Sequence, residues 1–287
     1  MDAEARITQL WSLPGGQLIR SKAWHEIDEQ GCKDAQFFPA NQAVVGVTSN
    51  GTVHFWDLTT GAHTRSVELG SPGFFPLGLS LDNRWLLGRP SEGDALLWDL
   101  RAGRRVQQFS DFRSSAAFSP DGHWLAYDTP DYVIKVWDLA ANREKATLKG
   151  HSWRISSLAF SPNGRLLASG GIEAEARLWS VESGQPLLVP LTGHLSGVGA
   201  VAFSGDGKTL ITRGDEGTTR WWQVATGREM LLFQDVVMVF PIHSASFEGN
   251  PGDKMLVWRE RQGPIRVTTL PALAEIDAVE KAKPRWP

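Results

Sequence analysis

Hydrophobic positions in this chain come in short alternating runs, each cut by a cluster of turn formers. "SSLAF" and "RLLAS" flank the turn "SPNG" at residues 161–164, and "ARLWSV" follows at 176–181. Alternation with a period of two predicts half-buried strands. Pro presets φ and Gly or Asn accepts φ > 0, so the turn between the first two runs predicts an antiparallel connection. A fourth strand is predicted at "PLLVPLT", residues 186–192, after "ESGQ".

The same pattern returns along the chain. Trp followed by a polar and an aliphatic residue occurs at Trp11-Ser12-Leu13, Trp56-Asp57-Leu58, Trp98-Asp99-Leu100, Trp137-Asp138-Leu139, Trp179-Ser180-Val181 and Trp222-Gln223-Val224, in steps of 39 to 45 residues. Thr268 takes the Trp slot one step later, while Trp258 falls in the preceding strand of its repeat. A turn signature precedes most of these positions: "FSPDG" from Phe118, "FSPNG" from Phe160, "FSGDG" from Phe203, "LSLDN" from Leu79, and looser forms from Phe38 and Phe247. Six three-strand units can be laid out, their first strands starting near Asp34, Gly73, Ser114, Ser156, Gly199 and His243. "ITQLWSL" and "QLIRSKA" read as the last two strands of a further unit. A lone four-stranded sheet this small cannot bury both faces, whereas radial stacking buries them; the expected fold is an all-β propeller.

The Trp-Asp dipeptides, the pairs Gly150-His151 and Gly193-His194, and the "FSPDG" turns resemble the WD-repeat family from Ile7 to Leu270. The resemblance implies a β-propeller of four-stranded antiparallel blades over residues 1–270, with six complete WD repeats and a partial seventh blade at 7–23. The alternative is a closed six-bladed ring sealed by the N-terminal strand. Residues 271–287, rich in helix formers after Pro271, are expected to form a helical or capping tail. The resemblance also implies buried hydrogen-bond networks: His151, Ser169 and Trp179 with Glu173 in the family's Asp slot, then His194, Thr212 and Trp222 with Glu216 there. Glu is one methylene longer than Asp, which predicts a distorted or solvent-bridged network. The other blades lack the Gly-His pair and cannot form it in full. The repeat tryptophans are expected to be wedges between blades, each contributing roughly 4–6 kcal/mol of gross hydrophobic free energy. Trp85 and Trp124 open second strands and are expected to be partly exposed.

Composition narrows the function. Of 287 residues 41% are apolar and 21% charged, which excludes a disordered chain. The net charge is -3 with Lys and Arg spread along the chain, against a nucleic-acid footprint. Cys32 is alone, so no internal disulfide forms and a reducing, cytoplasmic setting is expected. The longest apolar run, "VVMVF" at 236–240, is too short to span a bilayer. The seven His show no pair at ligand spacing, CxxC is absent, and no Gly-rich phosphate loop appears; no metal or cofactor is expected.

A His–Ser–Trp set repeated in adjacent units argues for internal fastening, because a catalytic serine is made special once. The expected function is therefore non-enzymatic: a scaffold for protein or peptide partners. Loops entering first strands and joining second to third strands gather on one face, carrying Trp153, Arg154, Arg113, Asp131, Tyr132, Arg213 and Asp215, types enriched at interfaces in the case of Trp, Tyr and Arg. The rival readings are a propeller hydrolase or lyase with an axial site, and a peptide or small-ligand sensor in the central channel. The connection "DLTTG" at 57–61 and the tail "LAEIDAVEK" at 273–281 resemble bacterial WD-repeat proteins, the sensor or scaffold parts of Ser/Thr protein kinases. That resemblance implies a signalling role within a longer chain.

Overall fold

The computed structural model describes residues 7–11, 18–23, 32–38, 43–48, 50–57, 60, 62–70, 73–90, 92–233, 237–238, 255–259 and 265–269. The expected helical tail at 271–287 and the first strand expected near His243 lie outside the described residues.

Among the described residues, five antiparallel sheets of four strands follow one another. They comprise β3–β6 (Cys32–Phe38, Ala43–Thr48, Thr52–Asp57, His63–Glu68) and β7–β10 (Phe75–Leu79, Trp85–Arg89, Ala95–Asp99, Arg104–Phe109). Then come β11–β14 (Ala116–Phe118, Trp124–Asp128, Ile134–Asp138, Arg143–Leu148), β15–β18 (Ile155–Phe160, Leu166–Gly171, Glu175–Ser180, Leu191–Thr192) and β19–β22 (Val198–Phe203, Thr209–Gly214, Thr219–Gln223, Glu229–Phe233). Ahead of them β1 (Ile7–Trp11) pairs with β2 (Leu18–Ala23). Behind them β23 (Val237–Met238), β24 (Met255–Arg259) and β25 (Ile265–Thr269) form a three-stranded sheet. Trp258 lies in β24 and Thr268 in β25, one strand apart. First strands of consecutive sheets run side by side, β3 by β7, β7 by β11, β11 by β15 and β15 by β19. That is the repeated arrangement of a propeller. No described helix is long and apolar enough to cross a membrane.

Turn chemistry fixes the first hairpin of each repeat. Ser80, Ser119, Ser161 and Ser204 donate to the side chain two residues on (Asp82, Asp121, Asn163 and Asp206) at 2.5–2.8 Å. Each serine oxygen accepts the backbone N–H five residues on, at 2.8–3.0 Å. Gly122, Gly164 and Gly207 close three of the turns with φ near +70°, and Asn83 takes φ 56° in the fourth. The Asp of Trp-Asp works at the other end: Asp99 and Asp138 each accept two N–H groups of the following turn at 2.8–3.0 Å.

The core lies between sheets. Val45, Val53 and Phe55 pack with Leu86, Leu96 and Trp98 of the next sheet. Leu87, Leu97 and Phe109 pack with Leu125 and Tyr127, and Ile134 and Val136 pack with Leu167 and Trp179. Leu178 and Leu191 join Val201 and Trp222. Consecutive residues such as Leu86 and Leu87 therefore serve opposite interfaces, which is why second strands read as unbroken apolar pairs. Each repeat Trp from Trp98 onward faces the sheet before it; Trp137 is half-buried and the others are buried.

Two expectations need correction. Trp85 is buried, not partly exposed: the Arg84 guanidinium, held by Asp99 at 2.9 Å, lies 4.5 Å over its ring, and Leu125 and Leu139 of the next sheet meet it. The fourth strand expected over residues 186–192 shrinks to Leu191–Thr192, plus one bridge between Trp179 and Pro186. Pro186 and Pro190 have no N–H to give a ladder, so the segment between them leaves it.

Candidate functional site

At one end of β16 and β17, four side chains form a relay. Trp179 Nε1–H donates to Ser169 Oγ at 2.8 Å, Ser169 Oγ lies 2.6 Å from His151 Nε2, and His151 Nδ1 lies 2.5 Å from Glu173 Oε1. Indole only donates and a carboxylate only accepts, so every N–H and O–H of the relay finds an acceptor when the His151 proton sits on Nδ1. Trp222, Thr212, His194 and Glu216 repeat the relay at 2.8, 2.7 and 2.6 Å. The contact to Glu is direct in both, so the longer side chain neither breaks nor water-bridges the chain.

Glycine makes room for the extra methylene. A Cβ on Gly171 would sit 2.1 Å from Glu173 Oε2, and one on Gly214 would sit 2.0 Å from Glu216 Oε2. The carboxyl group folds back over a bare backbone in each case. The glycine two residues before each Glu is the sequence signal that the reading by family slots passed over. In the Gly-His pair, glycine serves an arginine: Arg220 Nη2 donates to Gly193 O at 2.6 Å, and a Cβ at Gly193 (φ 142°) would meet Arg220 Nη1 at 2.9 Å.

The two relays differ at the carboxylate. Glu216 Oε2 accepts from Ser196 Oγ at 2.6 Å, and its Oε1 accepts from the Thr218 hydroxyl. Glu173 Oε2 is buried without a partner, because Trp153 stands where the other loop has Ser196. Desolvation would raise the Glu216 pKa, but hydrogen bonds from Ser196, Thr218 and His194 outweigh it and hold the carboxyl well below the usual range. Glu173 is lowered too: burial opposes, while the His151 bond and its own backbone N–H prevail.

Serine, histidine and a carboxylate in this order form the hydrogen-bond chain of a nucleophilic triad. Chemistry is blocked by access. Ser169 and Thr212 have no solvent exposure, and the His151 ring is 1% exposed, so an acyl substrate has no path to the hydroxyl. The hydroxyl already takes the indole N–H, and the arrangement clamps strand to loop.

Elsewhere the same slots are filled differently. The strand register aligns Tyr127 with Ser169, Trp137 with Trp179 and Phe109 with Leu148. There, Phe109 packs 4.7 Å from Tyr127 and edge-on to Trp137 at 5.2 Å, so an aromatic trio replaces the polar relay. In the sheet before, Gly88 takes the serine slot, and Trp98 Nε1 is buried without a partner.

The loops before first strands are tied to those after second strands by equivalent bonds. Asp128 N donates to Ser115 O at 3.0 Å, Ile172 N to Arg154 O at 3.0 Å, and Asp215 N to Gly197 O at 2.8 Å. Trp153, Arg154, Asp131 and Asp215 are exposed on these loops, and Arg113 lies 5.6 Å over the half-buried Tyr132, which takes φ 62°. Arg213 is half-buried at the end of β20, its Nε without a partner. Two further residues join them: Ile172 is 44% exposed and Leu195 86%, beside Trp153 at 57%. A Cβ at Gly197 would lie 3.0 Å from Ile172 Cα, so the loop carrying Leu195 rests on the loop carrying Ile172. An exposed Leu directly after Gly-His is the signal that could have marked it.

Residues 142–180 and 184–223 match the family model WD40, described as WD domain, G-beta repeat. Pre-mRNA-processing factor 19 homolog 2 of Arabidopsis thaliana is 26% identical over 190 residues, 60% of this chain and 34% of that protein. Apoptotic protease-activating factor 1 of Rattus norvegicus is 27% identical over 195 residues, 65% of this chain and 15% of that protein. Guanine nucleotide-binding protein subunit beta of Schizosaccharomyces pombe is 37% identical over 93 residues, 31% of this chain and 30% of that protein. The chain thus spans about a third or less of the length of these relatives.

Proposed function

We propose, for a chain whose residues 142–180 and 184–223 match the WD40 family model, a non-enzymatic scaffold that binds protein or peptide partners on its loop face. The observation that carries this is the exposure of Trp153, Ile172 and Leu195, three large apolar side chains left in water on three adjoining loops: the Ile172 loop is bonded to the Trp153 loop through Arg154 O and carries the Leu195 loop against it. Monomeric surfaces leave single apolar residues exposed; a group on one loop face, rimmed by Arg154 and Asp215, marks an interaction site. The relays beneath support the reading by holding the loops before binding, so ordering them costs a partner little. The burial of Ser169 and Thr212 weighs against an enzyme built on the relays.

The finer reading is six complete repeats plus a partial seventh, as the scaffold part of a larger bacterial signalling protein. Its support is the β1–β2 hairpin for the partial repeat and the resemblance of the 57–61 connection and of 273–281 for the setting. The relatives named above are eukaryotic. Affinity capture from a lysate compares the parent chain with Trp153→Ala/Leu195→Ser and with a His123→Ala control. Loss of the same partners in the first variant alone is expected. Equal recovery of every partner by all three proteins would overturn the binding face.

A further inference from the structure

The β5–β6 hairpin brings together three donor atoms that no part of the scaffold reading uses. His54 Nδ1 lies 3.2 Å from His63 Nε2, and Ser66 Oγ lies 3.1 Å from each. The register explains it: His54 pairs with Ser66, and a bulge between Phe55 and Trp56 sets His63 opposite Trp56 on the same side. Nine residues separate the two histidines, a spacing that means nothing on a helix and is closed here by the turn.

From this triangle we propose a binding site for a late first-row divalent cation, Zn²⁺ or Cu²⁺, ligated by His54 Nδ1, His63 Nε2 and Ser66 Oγ. Three ligands on one face of a tetrahedron with metal bonds of about 2.0 Å stand about 3.3 Å apart, close to the three edges seen here. Two imidazole nitrogens suit Zn²⁺ and Cu²⁺ above the hard cations, and solvent supplies the remaining position, since His63 and Ser66 are exposed. The rings are held before any cation arrives. His54 stacks on the buried Trp56 at 5.7 Å and 26°, and His63 meets the same indole edge-on at 5.7 Å. The sequence-based expectation of no metal rested on spacing along the chain. Among the described residues no three of His, Cys, Asp and Glu converge, so the site needs the serine hydroxyl as its third donor.

Calorimetric titration of the full chain with Zn²⁺, and separately with Cu²⁺, tests the site. One saturable equivalent abolished or weakened at least fivefold by His63→Ala, but not by His123→Ala, is expected. His63 is exposed, so its truncation leaves the fold intact, which circular dichroism checks. Ser66→Cys supplies a thiolate at the third corner and is expected to tighten Zn²⁺ at least tenfold. No saturable binding, a His63→Ala loss under fivefold, or no tightening in Ser66→Cys would each overturn the proposal.

Discussion

Gly171 lies beneath the carboxylate of Glu173, where a single added methyl would stand 2.1 Å from Oε2. Gly214 and Glu216 repeat the relationship one sheet later at 2.0 Å. The two positions are therefore coupled: a bare backbone permits the longer acid, and the longer acid reaches the histidine.

That coupling is measurable. Gly171→Ala pushes the carboxylate off His151 and is expected to cost about 1–3 kcal/mol in urea unfolding. In a Glu173→Asp background the shorter acid leaves room, and the same Ala should cost less by about 1 kcal/mol or more, a coupling typical of contacting residues. Additive costs would show that the glycine has no part in seating the acid.

Ser169→Ala strands both the Trp179 N–H and His151 Nε2 in a site closed to bulk solvent, with an expected loss of about 2–4 kcal/mol from the two orphaned groups. Trp98→Phe is the opposite case. Its indole N–H is already buried without a partner, so Phe removes a penalty as it opens a small void. The expected net change is within about 1 kcal/mol, against a clearly larger loss for Trp179→Phe. Equal losses at Trp98 and Trp179 would mean that the indole hydrogen bond contributes nothing.

Acid should loosen the relays. Glu216 and Glu173 titrate below their ordinary 4.5 in the folded protein. A depressed folded pKa gives stability present above the unfolded pKa and lost as pH falls through the folded one. Thermal midpoints should thus drop as pH is lowered from about 5, and Glu216→Gln should flatten that slope. An unchanged slope in the variant would place the acid sensitivity elsewhere.

Asp128 carries the opposite sign. Burial raises its pKa above 3.8, although the N–H groups of Ser114 and Ser115 oppose the rise at 2.8 and 2.6 Å. A carboxyl raised on folding destabilises the fold once ionised and ceases to do so below the unfolded pKa. Asp128→Asn keeps an acceptor for both N–H groups and sheds the buried charge. A higher thermal midpoint near pH 7.5, vanishing below pH 3.8, is expected. A lower midpoint at neutral pH would show that the charge itself holds the 113–115 loop.

The sequence made the hairpins legible because their turns are local: Ser, Asp and Gly at fixed offsets bind one another within five residues. The relay members His151, Ser169 and Trp179 were legible through the resemblance to WD repeats, carried over slot by slot. What stayed hidden depends on neighbouring sheets. Trp85 is covered by Arg84 and the following sheet, the Phe109–Tyr127–Trp137 trio shows only once strand register is known, and the exposure of Ile172 and Leu195 follows from how two loops stack. The fourth strand at 186–192 failed on its two prolines, a warning the residues did contain.

Each apolar cluster described above is half of one sheet and half of the next, so the unit that buries itself is out of step with the unit that repeats. Excising any one or two repeats at their loops yields a fragment with a raw greasy wall on both flanks. Such fragments would precipitate or pair with themselves, and only polar replacements on the outermost walls, at positions such as Leu125 or Val201, would keep one monomeric.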